Sequence, residues 1–231
     1  MRLGIFTDSH YSSQAVTCGN RYNSRSLEKI RQAYADFEQA GCDLVICLGD
    51  LSDREGDHSK ELLNLRQLAQ VIQSSFIPTV CLMGNHDAFT YTQEEFYAIL
   101  GGCRPETVCA AGKTLLFLDA CYFKSGRHYL PGDSDWKDTF FPHTGWLKQA
   151  LEEADGDVYL FVHQNLDPDI RADHRLHNAD AINEMLLKSG KVRAVFQGHY
   201  HEGNQSIHSR IPYTTFPALC ERENAWFVIT I

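Results

Sequence analysis

The stretch "DLVICLGDLSD", residues 43–53, places an unbroken apolar run directly before a glycine and two aspartates. A short apolar run bounded by turn residues is typical of a buried strand in a parallel sheet. Gly49 lets the backbone turn sharply at the end of this strand, so Asp50 follows at the strand terminus. If other strands end in the same way, their polar side chains meet at one edge of the sheet, because parallel strands end on the same side.

Short apolar runs alternate with amphipathic stretches along most of the chain. The amphipathic stretches include residues 26–41 and 59–75, in which apolar residues recur at helical spacing. Strands that alternate with helices predict an α/β fold. Three shorter strand candidates, at 205–209, 211–216 and 225–231, are expected to pair as hairpins. The six strong strand candidates lie at residues 2–7, 43–49, 78–84, 114–120, 157–163 and 192–198.

The size and composition of the chain fit one globular domain that covers residues 1–231. Of the 231 residues 43% are hydrophobic, which is enough to bury a core without disulfide bonds. The 8 cysteines form no CxxC pair, so we expect reduced and mostly buried thiols. The irregular stretch 121–143 has the length of a functional loop, and Trp136 in it is a candidate for stacking on a substrate base.

Charge and hydropathy limit the expected partners. The formal net charge of −9 argues against a protein that binds nucleic acid or an anionic membrane through a basic face. No apolar run reaches the length of a membrane span, which is about 18 residues. The apolar stretch at the N-terminus is too short for a signal peptide and leads straight into polar residues. We therefore expect a cytoplasmic protein without a membrane partner.

Five of the six strong strand candidates end in residues of the types that bind metal ions. Alone, each of these residues also fits an ordinary turn or strand end, as Asp119 after the strand at 114–120 illustrates. In an open α/β sheet, however, such residues converge outside the carboxyl ends of the strands, and their joint placement predicts one metal site. The contributions are Asp8 with His10, Asp50 with Asp53, Asn85 with His86 and Asp87, His163, and His199 with His201.

The spacing and the chemistry of these residues agree with a shared site. In an extended chain, positions i and i+2 point the same way, so Asp8 can face one centre with His10, and His199 with His201. Glycines precede three of the ligand positions and allow a sharp turn or a close approach of the backbone. The donors are carboxylates, imidazoles and one amide carbonyl, without a thiolate. This mixture suits manganese, iron or zinc.

Together the motifs resemble those of the calcineurin-like metallophosphoesterase family. The signature of that family runs D-x-H, G-D-x-x-D, G-N-H-[DE], a lone histidine and G-H-x-H. This chain has "DSH", "GDLSD", "GNHD", His163 and "GHYH" in the same order between residues 8 and 201. The resemblance implies an α/β fold in the form of a four-layer α-β-β-α sandwich with two metals at the strand ends. Many relatives have a proline soon after the lone histidine, whereas this chain reads "HQNLD".

The resemblance also implies a role for each matching residue. Asp50 would bridge two divalent metal ions, which we expect to be Mn²⁺, Fe²⁺/Fe³⁺ or Zn²⁺. His86 matches the catalytic histidine near the leaving group, and Asp87 would orient His86. Asp53 would support the loop behind the ligands. One ion would also be held by Asp8, His10 and His201, and the other by Asn85, His163 and His199.

A closer similarity is to the manganese-dependent ADP-ribose and CDP-alcohol diphosphatases within the family. The segment "NRYNSRSLEKI" at 20–30 resembles an R-Y-x-x-x-S-L-like segment of that subgroup, and the His-Asn pair at 177–178 stands before a helix in a similar way. Arg21 and Arg25 are predicted to bind a second phosphate or another anionic part of the substrate. For both arginines, the alternative is an exposed surface position.

The predicted function is hydrolysis of a small phosphorylated or nucleotide-type substrate. Two divalent ions about 3.5–4 Å apart share a water and lower its pKa, so that a metal-bridging hydroxide attacks phosphorus in line. His86 as general acid would contribute about 10²–10⁴-fold. Three alternatives stay open: a cyclic-nucleotide phosphodiesterase, a protein phosphatase, and a catalytically weak scaffold or interaction protein on the same fold. Scaffold members typically lose ligands, whereas every ligand position is filled here.

Overall fold

Two sheets organise the computed structural model, which describes residues 1–101, 107–133 and 140–231. Cys103 and Trp136 lie outside these ranges. The strands are β1 (Arg2–Phe6), β2 (Leu44–Cys47), β3 (Thr79–Cys81), β4 (Thr107–Ala110), β5 (Lys113–Leu118), β6 (Asp157–Val162), β7 (Val192–Gln197), β8 (Asn204–His208), β9 (Ile211–Thr215) and β10 (Trp226–Thr230).

Most of the strands in both sheets run parallel, as the alternation of strands and helices predicts. The first sheet has the order β10-β1-β2-β3, in which β1, β2 and β3 are parallel and β10 pairs antiparallel with β1. The second sheet has the order β4-β5-β6-β7-β9-β8, in which β5, β6, β7 and β9 are parallel. Because the parallel strands share a direction, their carboxyl ends lie at one edge of each sheet.

Helices connect these strands and cover both outer faces. Gly41 ends the first helix with a left-handed φ of 65°, a conformation that glycine adopts without strain. The side chain of Asp57 caps the second helix by accepting hydrogen bonds from the N–H groups of Ser59 and Lys60. The helices are α1 (Ser26–Ala40), α2 (His58–Gln73), α3 (Asn85–Thr90), α4 (Gln93–Ile99), α5 (Thr144–Glu153) and α6 (Ala179–Ser189).

Three buried apolar clusters show that the molecule has four layers. Between α1, α2 and the first sheet, Phe37 packs in a cluster that includes Leu65. Between the two sheets, Ile46 lies in one cluster with Phe161. Between the second sheet and α5 and α6, Leu147 is a member of the third cluster. Each fully buried side chain of this size contributes about 1.5–3 kcal/mol to stability. The predicted α-β-β-α sandwich is confirmed.

The structure contains all six strong strand candidates and differs from the sequence-based expectation at the chain's last strand. β8 and β9 form the expected hairpin, but β10 crosses to the other sheet and pairs with β1. A short strand with alternating exposure carries no information on which edge it covers, so this pairing could not be read from the sequence. The described cysteines are free thiols, as expected. No helix in the described ranges is long and apolar enough to cross a membrane.

Candidate metal centre

The carboxyl ends of five parallel strands, β1, β2, β3, β6 and β7, bring the predicted ligands together. Asp8 and His10 follow β1, and Asp50 follows β2. The backbones of these two strand ends are tied to each other, because Asp8 N donates to Gly49 O at 3.0 Å and His10 N donates to Asp50 O at 2.9 Å. The other ligand candidates are Asn85 at the start of α3, His163 after β6, and His199 and His201 after β7.

Four of these residues have a left-handed backbone conformation. The φ angles are 52° at Asp8, 43° at His10, 52° at Asp50 and 65° at His199. A residue with a Cβ loses about 1–2 kcal/mol in this conformation, and such strain is concentrated at functional sites. The strand ends are therefore shaped to direct these side chains rather than to form the most stable turns.

Two glycines allow the strand ends to approach closely. A Cβ at Gly84 would overlap the side chain and backbone N of Asp50, and a Cβ at Gly198 would overlap the side chains of Thr7 and Asp8. Any other residue at either position would push a ligand out of place. The expected close approach at the glycines of "GNHD" and "GHYH" is confirmed.

The ligand candidates form two groups that share Asp50. Asp50 Oδ2 lies 3.6 Å from His10 Nε2 and 3.2 Å from His163 Nε2. The first group, which we call the outer group, consists of Asp8, His10 and His201 together with Asp50; in it His10 Nε2 lies 3.1 Å from His201 Nε2. The second, the inner group, includes His163 and His199 together with Asp50, and single ligand atoms of these three residues lie within 4.8 Å of one another. Asn85 lines the same pocket and is assigned to the inner group by the family resemblance.

Buried ligand atoms without hydrogen bonds show that this arrangement fits cations. Ten buried side-chain atoms have no hydrogen-bond partner in the described residues, and four of them belong to the predicted ligand set: Asp8 Oδ1, Asn85 Oδ1, His163 Nε2 and His199 Nε2. Each buried polar atom without a partner costs roughly 1–3 kcal/mol. Two of the four are carboxylate or carbonyl oxygens, and two are imidazole nitrogens. Divalent cations would satisfy all four atoms at once.

The charges in the centre depend strongly on one another. Burial lowers the pKa of His10, but Asp53 and the ligand carboxylates outweigh it and raise this pKa to about 10. Burial also lowers the pKa of His163, but the charge of Asp50 outweighs it and raises this pKa to about 9. Burial would raise the pKa of Asp50, yet the charges of His163 and the other imidazoles hold it well below its usual range. In the metal-free protein, the buried carboxylates therefore favour protonation of two candidate ligand imidazoles, those of His10 and His163.

His86 stands at the mouth of the centre and is held by Asp53. His86 Nδ1 lies 2.8 Å from Asp53 Oδ1, and the same oxygen lies 2.7 Å from His10 Nδ1. The His86 backbone N–H donates to Asp50 Oδ1 at 2.8 Å. The side chain of His86 is 34% exposed, whereas Asp53 is largely buried. Asp53 thus fixes one metal-ligand candidate and the predicted catalytic histidine at the same time.

Asp87 does not orient His86, which corrects the expectation from the sequence. Its carboxylate accepts hydrogen bonds from the backbone N–H groups of Leu51, Ser52 and Gly84 at 3.0–3.1 Å. Asp87 is the third residue of α3, and a side chain at this position reaches back to the start of the helix. Consecutive side chains on a helix point in different directions, so Asp87 does not face His86. Burial and the neighbouring carboxylate raise the pKa of Asp87 to about 7. Asp87 holds the strand ends together, and Asp53 is the partner of His86.

A pocket of about 690 Å³ opens in front of the centre and is lined by Asp50, His86 and Arg21, among others. Only 17% of the Arg21 side chain is exposed, and its guanidinium lies 3.8 Å from Asp53. Arg25 is placed differently: it lies at the surface, 57% exposed, and pairs with Glu223 at 2.9 Å. The structure therefore places Arg21 in the pocket, where its role in substrate binding stays a prediction, and Arg25 takes the alternative surface position.

The wall of the pocket beside His199 consists of residues that the sequence analysis did not single out. The loop between β6 and α6 contributes His174, whose ring centroid lies 5.3 Å from that of His199 and 5.2 Å from that of Tyr200. Phe140 reaches the same wall, with its ring 5.3 Å from His199. Arg171 lies in the same loop and lines the pocket. Arg171 and His174 lie well beyond the end of β6, so the pattern that marked the ligand candidates gave no signal here.

Glu221 is a second residue without a signal in the sequence. It lies beyond β9, and its Oε1 is 2.5 Å from His201 Nδ1. A metal-ligating histidine usually donates its second N–H to such a carboxylate, which fixes the orientation of the ring. His10 has the equivalent partner in Asp53, so both histidines of the outer group have a carboxylate behind them.

Proteins of known sequence and structure share this architecture. A probable cyclic nucleotide phosphodiesterase of Fibrobacter succinogenes is 25% identical over 179 residues, which cover 73% of this chain and 61% of that protein. A second protein of the same description, from Rhodopseudomonas palustris, is 26% identical, with coverage of 92% and 76%. The crystal structure of a dimetal phosphatase from Danio rerio has a TM-score of 0.81 at 17% identity, with coverage of 95% and 88%.

A four-layer sandwich with these donors at its strand ends defines a metal-dependent phosphohydrolase. The sequence model of the calcineurin-like phosphoesterases matches residues 1–203, so the chain belongs to that family. The resemblance drawn from the five motifs is thereby confirmed, as is the dependence on metal ions. The closer similarity to the ADP-ribose and CDP-alcohol diphosphatases stays a prediction.

Proposed function

We propose that the chain hydrolyses the phosphodiester bond of a small nucleotide-type substrate at a centre of two divalent metal ions. One observation carries this proposal: two groups of buried candidate ligand atoms share Asp50 at the floor of a pocket, and four of these atoms have no hydrogen-bond partner in the described part of the chain. Residues 1–231 would act as one domain, since β10 near the C-terminus completes the sheet that begins with β1.

Each ion would have its own set of ligands. The outer group would hold one ion and the inner group the other, and Asp50 would contribute to both. Mn²⁺, Fe²⁺/Fe³⁺ and Zn²⁺ all accept carboxylate and imidazole donors. The outer ion would be held by Asp8, His10, Asp50 and His201, and the inner ion by Asp50, Asn85, His163 and His199.

The protein groups around the ions would complete the reaction. When bound, the ions lower the pKa of a water and polarise the phosphoryl oxygens. Asp53 holds Nδ1 of His86 and leaves Nε2 as the nitrogen that can donate a proton to the leaving oxygen. The backbone N–H of His86 fixes Asp50 Oδ1, which leaves Oδ2 between the two groups. No protein nucleophile is required by this arrangement.

The shape and lining of the pocket support a small substrate with an aromatic part. Its volume of about 690 Å³ suits a single nucleotide. The rings of Phe140, His174 and Tyr200 line the pocket beside His199, where a planar base can pack. The names of the Fibrobacter and Rhodopseudomonas relatives, probable cyclic nucleotide phosphodiesterases, agree with this substrate class.

A diphosphate is the second candidate substrate, and the position of Arg21 favours it. The Arg21 guanidinium lies inside the pocket on the same side as His86, where it can bind a second phosphate. In that case the substrate would be of the ADP-ribose or CDP-alcohol type. The two candidates differ in how much turnover depends on Arg21.

A panel of substrates with Mn²⁺ added tests the proposal. It compares an aryl phosphate monoester and diester, 2′,3′- and 3′,5′-cyclic nucleotides, ADP-ribose and a CDP-alcohol. We expect the wild type to have its highest kcat/KM on a cyclic nucleotide or another diester. The purified Asp50→Asn variant should hydrolyse none of the compounds. A protein that binds two metal equivalents and hydrolyses none of these compounds contradicts the proposal. The highest kcat/KM on ADP-ribose would select the diphosphate.

A further inference from the structure

The segment that contains Glu221 runs alongside the end of β1. Leu219 N donates to Thr7 O at 3.0 Å, and Cys220 N donates to Asp8 O at 3.1 Å. These hydrogen bonds place Glu221 behind His201, with 18% of its side chain exposed. The position of Glu221 is therefore fixed by the same strand end that carries the first ligand candidate.

The two carboxylate oxygens of Glu221 have different partners. Oε1 lies 2.5 Å from His201 Nδ1, and Oε2 accepts a hydrogen bond from Asn20 Nδ2 at 3.0 Å. Asn20 belongs to residues 17–23, which we call the arginine loop because Arg21 extends from it into the pocket. Glu221 thus connects an outer-group histidine to the loop that carries the substrate-binding arginine.

Asp53 makes the corresponding connection at the ends of the arginine loop. Its Oδ1 lies 2.7 Å from His10 Nδ1, and its Oδ2 accepts hydrogen bonds from Asn23 Nδ2 at 2.9 Å and from Thr17 Oγ1 at 3.3 Å. Within the loop, Thr17 and Arg21 exchange two backbone hydrogen bonds at 3.0 and 3.2 Å. The loop is a closed turn whose ends are attached to Asp53 and whose middle is attached to Glu221, and each of these carboxylates also holds an outer-group histidine.

This arrangement makes the position of the arginine loop depend on the orientation of the histidines in the outer group. A cation at Nε2 of a histidine fixes the tautomer and the orientation of the ring, so that Nδ1–H points at the carboxylate behind it and holds that carboxylate in place. A carboxylate whose first oxygen is fixed in this way holds its second oxygen in a defined place for Asn20 or Asn23. The inner group has no such connection in the described residues, because His163 Nδ1 is bonded to the backbone oxygen of Leu48 at 2.8 Å.

We propose that Glu221 is a positioning residue that couples occupancy of the outer ion to the placement of Arg21, and through it to binding of the anionic part of the substrate. The inference rests on the proposed dinuclear phosphoesterase function and adds a coupling to it. Glu221 touches neither the substrate nor an ion; it acts through His201 on one side and through Asn20 on the other.

Hydrogen exchange of the arginine loop during a Mn²⁺ titration tests the coupling without turnover. In the wild type, we expect residues 17–23 to gain protection as the second, outer ion binds. The Glu221→Ala variant is expected to lose that gain and to bind one of the two ions about 10–100-fold more weakly. Asn20→Ala should also lose the gain, but it should bind both ions as the wild type does.

Matched variants guard against a general loss of structure. Glu223 lies two residues further on, is 62% exposed and pairs with Arg25 at the surface, so Glu223→Ala should leave ion affinity and loop protection unchanged. Glu221→Gln keeps an acceptor for His201 and should retain most of the loop protection while the outer ion binds more weakly. If the thermal melting curve of Glu221→Ala differs from that of the wild type, the coupling is judged from the loop protection of Glu221→Gln and Asn20→Ala instead.

Steady-state kinetics of the same variants tests the coupling independently of hydrogen exchange. With saturating Mn²⁺, Asn20→Ala should raise KM about 10-fold for a substrate that has a second anionic group and leave kcat unchanged. Loop protection that rises equally in wild type and Glu221→Ala would overturn the proposal. A wild-type protein that binds both ions and orders the loop but hydrolyses nothing would contradict the proposed function and leave the coupling standing.

Discussion

The outer and inner ligand groups share Asp50 but are supported by different parts of the fold. Behind the outer group, the histidines donate to side-chain carboxylates, Asp53 for His10 and Glu221 for His201. Behind the inner group, His163 is fixed by a backbone oxygen at the end of β2. A backbone carbonyl is set by the sheet, whereas a carboxylate on a loop can adjust. The inner group is therefore the rigid half of the centre, and the outer group is the half that can respond to substrate.

Exposure does not follow the same division. The side chain of His163 is 1% exposed and that of His201 is 16% exposed, but His10 of the outer group is fully buried and His199 of the inner group lines the pocket. The groups differ in what lies behind them: Asp53 connects the outer group to His86, and Glu221 connects it to the arginine loop. In the proposed reaction, these two connections link the outer group to catalysis and to substrate recognition.

Removal of the shared ligand should give the largest effect, because it abolishes the difference between the groups. Asp50→Asn leaves both groups without their common anion, and we expect neither ion to be retained after gel filtration. Loss of the ions removes several kcal/mol of charge stabilisation, which corresponds to roughly a 10³-fold or greater fall in kcat/KM. Elemental analysis with a diester assay measures both quantities. Retention of one full equivalent of metal would show that Asp50 is not shared.

Replacement of His86 should separate chemistry from metal binding. His86→Ala keeps both ligand groups, so two metal equivalents should remain while kcat falls by about 10²–10⁴-fold on a substrate with a poor leaving group. The loss should shrink on an aryl ester, whose leaving oxygen needs no proton. Full activity of the variant on the poor leaving group would remove the role assigned to His86. Asp87→Asn serves as a contrast, since it should act on stability through the strand ends.

The pH dependence of metal binding should report the charges of the two halves. In the metal-free protein His10 has a pKa of about 10 and His163 of about 9, because nearby carboxylates outweigh burial. A protonated imidazole cannot bind a cation, so affinity must rise with pH below these values and level off above them. About one proton should leave with each ion at neutral pH. Calorimetry in two buffers of different ionisation enthalpy measures this number, and zero proton release would contradict the charge states described above.

The smallest expected effect distinguishes the two arginines. Arg21→Ala removes a largely buried guanidinium from the pocket and should raise KM roughly 10-fold on a diphosphate, with a smaller change on a monoester. Arg25→Ala removes only an exposed ion pair with Glu223, which is worth about 0–1 kcal/mol, and should leave the kinetics unchanged. Equal effects of the two substitutions would mean that Arg25 also enters the pocket during turnover.

The convergence of the ligand candidates could be predicted from the sequence because their signal is local. Each of the ligand candidates follows an apolar run and a turn, and a parallel sheet then brings the strand ends to one edge. The same argument recovered the six strong strands and the layered α/β fold. These features need only the order of residues along the chain and the direction of the strands.

The partners of the ligands could not be predicted because they depend on how distant segments pack. Asp87 is adjacent to His86 in the sequence, but successive side chains on a helix diverge, and Asp53 from another strand end reaches His86 instead. Glu221 approaches His201 only because the segment beyond β9 returns along β1. The position of Arg25 was also open, since both arginines stand in the same loop region and the fold alone decides which one faces the pocket.

The most direct test of the central claim is a count of metal ions combined with activity before and after their removal. The protein is purified in the presence of Mn²⁺, its metal content is measured, and diester hydrolysis is followed after chelation and after stepwise return of Mn²⁺. We predict two equivalents per chain, no hydrolysis without metal, and full activity only when the second equivalent has bound. Activity that survives complete removal of metal, or that is complete at one equivalent, would contradict a centre in which two ligand groups share Asp50.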